Sequence, residues 1–272
     1  MDSHLQRAWL LLQSNQYKQA EKYARQAIAS DPKESGGWYC LAHTLLQQKR
    51  RREACEACLE ALRCHPHNDA ALHTLAWIYY GSDEHVAAEK AALAALEIAP
   101  QDPSHLTLLA YINNAQDNYD AATSYADQAL TVDPQSIDAL NVKGHCCFNT
   151  GQKKEAEEFY RAALAIDPTN SDSRMNLGYC QQVAGKQRQA TATYRSVVAD
   201  NPSSRSARDR LFRVSFREEI RYKGWKTWVV DIFRGAGPLL TVVFLLPMLV
   251  VTLGLPLLAL VYFTLYSLGI AE

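Results

Sequence analysis

The 272-residue sequence lacks the usual seats of chemistry. It has no glycine-rich phosphate loop, no Ser/His/Asp order and no pair of carboxylates that stands out from its surroundings. Neither an enzyme nor a bound cofactor is expected of it. Acceptors for asparagine-linked sugar are missing too, because the triplet Asn201-Pro202-Ser203 carries proline in its middle place. The opening stretch, MDSHLQRAWLLLQSNQ, has neither the basic start nor the apolar core of about 7–15 residues that a secretory signal needs. Its AWLLL reads as one face of a helix. Seven cysteines, at 40, 55, 58, 64, 146, 147 and 180, are an odd number scattered through helical patterns. That usage fits reduced thiols serving as small apolar side chains in a cytoplasmic body.

Charge is missing from one place above all. Gly235 through Ala271 are 37 residues without a formal charge. The net charge of −1 hides this segregation. Residues 1–204 hold 19 Lys/Arg against 24 Asp/Glu, and residues 205–234 hold nine against four. The chain therefore reads as a mildly acidic body, a basic collar and an apolar end. No nucleic-acid partner is expected of such a body.

What is present is a period. Pro32, Pro66, Pro100, Pro134, Pro168 and Pro202 are 34 residues apart each time. Alanine recurs in the same register at Ala20, Ala54, Ala88, Ala122, Ala156 and Ala190. A third register holds Ala27, Ala61, Ala95, Ala129, Ala163 and Val197, and a fourth holds Ala8, Ala42, Ala76, Ala110, Gly144 and Gly178. Each unit reads as two helices around a polar break such as TGQKK (150–154) or AGKQR (184–188). Small residues suit places where two helix axes approach closely. Proline suits the position after the second helix, where its ring clashes with a continuing helical backbone.

This skeleton resembles the tetratricopeptide repeat (TPR) family, and MNLGYCQQVAGKQRQATATYRSVVADNP (175–202) is its cleanest copy. The resemblance departs from the family where Leu72, Leu106 and Leu140 replace the early tryptophan kept at Trp38, and where the first-helix glycine is found only in units five and six. It implies an all-α fold: a right-handed α-solenoid of six helix pairs, in units 1–34, 35–68, 69–102, 103–136, 137–170 and 171–204. Residues 205–222 are expected to cap it, with Leu211 and Phe212 packing and the arginines outward.

In the family, first helices line the concave side and grip extended peptides or partner helices. At the ninth place of each unit stand Trp9, His43, Trp77, Tyr111, His145 and Tyr179, a ring in all six. Tyr39 and His73 fall one turn earlier, and Tyr80 and Asn114 one turn later. These ten residues form the candidate peptide-binding groove, since rings give contact area at low entropic cost. The bland alternative is that several rings merely pack on the adjacent unit. The Lys/Asn/Arg clamp by which some family members hold chaperone tails is absent, so the expected ligand is largely uncharged or apolar.

Two further stretches invite a chemical reading. CEACLEALRCHPHND (55–69) gathers Cys55, Cys58, Cys64, His65 and His67, of which four could hold zinc. Cys58, however, occupies the core register of Ala92, Ala126 and Tyr160, and the pair lies mid-helix rather than in a turn, so no metal is expected. QKRRREA (48–54) places four bases at an inter-helix break. It reads as a solvated turn, with anionic lipid or an acidic partner as the alternative.

The collar YKGWKTWVVDIFRG (222–235) aligns Trp225, Trp228, Val229, Ile232 and Phe233 in one apolar stripe. Residues 223–234 are therefore expected to form a basic amphipathic helix at a membrane interface, with Lys223, Trp225, Lys226, Trp228 and Arg234 at the lipid surface. Residues 235–272 are expected to anchor in the membrane. A hairpin turning at LGLP (253–256) is favoured over one kinked span near 239–261, because it uses every apolar residue. Bases precede the run and none follows it, which places the repeat body on the cytoplasmic side. The expected function is a tail-anchored scaffold that binds a partner protein in its groove. The alternatives are an integral subunit of a larger membrane complex and, from another class, a metal-dependent role at 55–67.

Overall fold

The structure, a computed structural model, describes residues 3–223, with side chains through residue 215. Every described element is a helix. The first is α1 (Ser3–Gln13), followed by α2 (Tyr17–Ser30), α3 (Ser35–Gln47), α4 (Arg51–Cys64), α5 (Asp69–Tyr80), α6 (His85–Ile98) and α7 (Pro103–Ala115). Then come α8 (Tyr119–Val132), α9 (Ile137–Asn149), α10 (Lys153–Ile166), α11 (Ser171–Val183), α12 (Gln187–Asp200) and α13 (Arg205–Lys223). Contacts divide the chain into two compact units, Met1–Ala184 and the remainder from Gly185.

The break inside each pair has one geometry. Asn15, Lys49, Asp83, Asp117, Gly151 and Gly185, each 34 after the last, all adopt positive φ, from 59° to 88°. In the first five, this residue's N–H returns to a carbonyl three back and the next N–H to one five back, as in Lys49 to Leu46 and Arg50 to Leu45. This is a left-handed helix cap that satisfies carbonyls the helix end leaves open. The starts of later first helices are capped as well. Asn68 accepts from the N–H of Ala71, Asp102 from Ser104, Ser136 from Ala139 and Asn170 from Ser173.

In the first unit the core is a series of local clusters. One spans Leu5 to Ile78, the next two centre on Leu108 and Ala110, and the last gathers Ala156, Tyr160, Leu177 and Cys180. Full burial of residues such as Leu108, Leu109 and Ile112 contributes about 1.5–3 kcal/mol each. The small-residue register has a direct cause. A Cβ added to Gly144 of α9 would stand 2.5 Å from Cε1 of Tyr160 on α10. Tyr160 occupies the register of Ala24, Cys58, Ala92 and Ala126, so glycine appears where the facing residue grows to tyrosine. Neighbouring first helices, such as α5 with α7 and α7 with α9, also touch more extensively than any two second helices do. The first helices therefore lie on the inner side of the curve in this unit.

In the second unit, α12 packs on α13. Of the two residues expected to pack, Leu211 is half-buried, whereas the expectation for Phe212 is corrected: it is 63 % exposed, and Ala207 and Val214 are the buried ones. Among the described residues no helix is long and apolar enough to cross a membrane. The expected anchor, 235–272, and Trp225, Lys226, Trp228 and Arg234 lie outside the described residues. Lys223 ends α13, and its side chain also lies outside.

Candidate peptide-binding face

Because a helix repeats every 3.6 residues, the ninth place of each unit and those one turn away form one stripe along its first helix. The structure brings most of these rings together in three groups. Trp9 of α1 meets Tyr39 at 5.7 Å and His43 at 5.8 Å, and Tyr39 stands edge-on to His43 at 4.7 Å. In the centre, Trp77 contacts Tyr80 at 5.5 Å and Tyr111 at 5.7 Å, with His73 at 6.3 Å. Tyr80 and Tyr111 are themselves 6.4 Å apart. Further along, Tyr179 packs on Phe148 at 5.1 Å. Such tilted and edge-on pairs hold the rings in fixed orientations.

Two of the ten candidates lie outside these three groups. His145 meets Tyr160 of its own second helix edge-on at 6.0 Å and hydrogen-bonds Asn176 of α11. Asn114 Oδ1 accepts from the Cys146 thiol at 3.7 Å, across to the next unit. Of the rest, Trp77 and Tyr179 are the most open, 39 % and 40 % exposed, and the others are half-buried.

The rings are electrically neutral at ordinary pH. Burial lowers the pKa of His43 and His145. Burial and then the neighbouring His105 bring His73 down to about 4. Burial raises Tyr39, Tyr80 and Tyr111, and for Tyr111 the Asp138 carboxylate pushes further. Tyr111 donates to Asp138 Oδ1 at 3.2 Å. Asp138 belongs to an acidic edge that the sequence pattern did not single out: Asp69, Asp138 and Asp172 lie in the first turns of α5, α9 and α11, and Asp102 caps α7.

His105 was also missed, and its signal was there to read. Its register otherwise holds Ser3, Gly37, Ala71, Ala139 and Ser173, all small. Asp69, Asp102 and His105 are the one group of three or more metal-ligating side chains that converges among the described residues. The run 55–67 forms no such group there. Its Cys58 thiol is buried and pushed up to about 12, as core packing requires. Two of the four bases of 49–52 act as struts. Arg50 reaches Glu21 of α2 at 2.8 Å, and Arg51 donates to the Gly81 carbonyl at 2.7 Å.

Among solved structures, the chain superimposes on the APC/C hetero-tetramer Cut9-Hcn1 with a TM-score of 0.71 at 16% identity, covering 78% of this chain and 42% of that one. Against PilW, described as a widely conserved type IV pilus biogenesis factor, the TM-score is 0.68 at 18% identity, with 76% and 96% covered. Against pilF of Pseudomonas aeruginosa it is 0.64 at 17%, with 76% and 95% covered. Identities this low speak for the fold alone. No curated protein matches the chain in sequence. Models described as tetratricopeptide repeat match residues 5–69 and 41–103, 106–136, 137–170 and 172–204. Taken together these matches run through all six pairs, and the chain belongs to the tetratricopeptide repeat family.

Proposed function

We propose that the protein is a membrane-tethered scaffold that captures a partner protein or peptide on its first-helix face. It is a binding protein and not a catalyst. The observation that carries this reading is the central group, in which Trp77, Tyr80 and Tyr111 present a neutral aromatic surface with Trp77 partly open. Clustered aromatic anchors are the usual source of binding energy at interfaces. The edge at Asp138 and Asp172 refines the ligand. It favours an extended segment with apolar side chains for the rings and basic ones toward the carboxylates.

The tether rests on sequence. The uncharged run 235–271 is long enough for the hydrocarbon core, and the tryptophans and bases of 223–234 suit its interface. Held there, the repeats face the cytoplasm and raise the local concentration of whatever they bind.

The test uses the full-length protein in detergent, as bait against membrane and cytosolic fractions. Wild type is compared with a Trp77→Ala/Tyr111→Ala double variant of matched helical content. Partners retained by wild type and lost in the variant are expected, and an unchanged set of partners rules out the ring face. Flotation with liposomes tests the tether separately. Full-length protein that stays monomeric in plain buffer and never floats contradicts it.

A further inference from the structure

We propose that Asp69, Asp102 and His105 form a binding site for a divalent transition-metal ion of the zinc type, with His73 as the outer partner that couples the ion to Trp77. This stands independently of what the ring face captures.

The donor set comes from two consecutive first helices. Asp69 lies in the first turn of α5, Asp102 caps α7, and His105 follows one turn into α7. Each offers a ligand atom within 4.8 Å of the other two. His105 is only 3 % exposed, at a register where the other units carry small residues. Its Nε2 stands 3.4 Å from Asp69 Oδ2. That is long for a charge-assisted hydrogen bond. It is also the separation of two ligands each about 2.1 Å from one ion at a near-tetrahedral angle. Asp102 receives the Ser104 N–H on Oδ1 at 2.7 Å, which fixes the carboxylate at the start of α7. One imidazole with two carboxylates is a donor set for zinc and its neighbours rather than for magnesium or calcium, and three protein ligands leave a position for water.

The protons around the site follow from one unambiguous donor. The Trp77 indole N–H donates to His73 Nε2 at 2.9 Å, so a neutral His73 carries its proton on Nδ1. That Nδ1 lies 3.0 Å from His105 Nδ1 and donates to it. His105 then holds its own proton on Nε2, toward Asp69. An ion taking Nε2 displaces that proton. His105 must then be protonated on Nδ1, which it achieves by accepting the proton from His73. His73 takes up the displaced proton on Nε2, and no net proton leaves. His73 Nε2–H now faces the indole N–H, donor against donor, so the Trp77 bond breaks. Loading the ion therefore changes the surroundings of the central ring of the binding face, an outer-partner coupling of a kind common around metal-bound histidine.

The experiment titrates chelator-treated full-length protein in detergent with ZnCl2, following heat and tryptophan emission. The expected result is one Zn2+ per chain with a change in emission that Trp77→Phe abolishes. His105→Ala and Asp102→Asn should each weaken binding tenfold or more. Both variants should fold, since alanine is what Ala71 and Ala139 supply at that register and asparagine also caps helices. Circular dichroism checks this, and if either misfolds, His105→Ser, after Ser173, is used. Absence of Zn2+ binding overturns the proposal. So does binding unchanged in the His105 variant, or binding lost in Cys55→Ser instead.

Discussion

Replacing Gly144 by alanine should destabilise the protein, although alanine is the better helix former. A Cβ at this position would lie 2.5, 2.8 and 2.9 Å from Cε1, Cζ and Cδ1 of Tyr160. Carbon atoms pack best at about 3.5–4.0 Å, so the ring must retreat by about 1 Å. Tyr160 is 2 % exposed and wedged among Ala156, Leu177 and Cys180, with little room to yield. Overpacking of this kind costs about 1–3 kcal/mol. Against it stands the intrinsic gain of glycine to alanine inside a helix, about 1 kcal/mol. The net expectation is a loss of about 1 kcal/mol, read as a few degrees in thermal unfolding followed by circular dichroism. The decisive arm repeats the change in a Tyr160→Ala background, where the small–small pairing resembles that of Ala76 with Ala92. There the clash is gone and the helix gain remains, so the same substitution should stabilise by about 1 kcal/mol. One sign in both backgrounds would refute the reasoning.

Lys49 holds φ at 63°, a conformation that costs a residue with a Cβ about 1 kcal/mol. Lys49→Gly should therefore raise the midpoint of urea unfolding. The native thiols should divide in iodoacetamide labelling at pH 8. Cys40 and Cys58, buried and pushed up to about 12, should lag well behind the half-exposed Cys64, as peptide mass spectrometry would report. Acid should weaken the fold. Burial holds His43 and His145 below the ordinary histidine value of 6.5, so the unfolded chain binds protons first as pH falls through that value. Stability in chelator-treated protein should decline from pH 7 toward pH 5, and thermal unfolding at fixed ionic strength would measure it.

The repeat fold was legible because the 34-residue period is written in residue types with few substitutes: proline after the second helix, and alanine or glycine where helices approach. The left-handed turn was half hidden. Gly151 and Gly185 announce it, whereas Asn15, Lys49, Asp83 and Asp117 adopt the same φ with side chains that do not signal it strongly. Gly144 could be noted as a family residue, but its partner Tyr160 lies 16 positions away on another helix, and only packing shows why one demands the other. The rings of the candidate face could be placed by register. Their neighbours could not, because His145 packs edge-on to Tyr160 through a contact that helical spacing alone does not specify. His105 was not legible from the ring positions, because it stands out only against the small residues of its own register.

The most direct test of the scaffold reading is photocrosslinking from the full-length protein in its own membranes. A photoreactive phenylalanine analogue replaces Tyr179 on α11 or, as the control, Val86 on α6, which is 81 % exposed. The account predicts a partner adduct from position 179 and none from position 86. Adducts formed equally from both, or from position 86 alone, would contradict it.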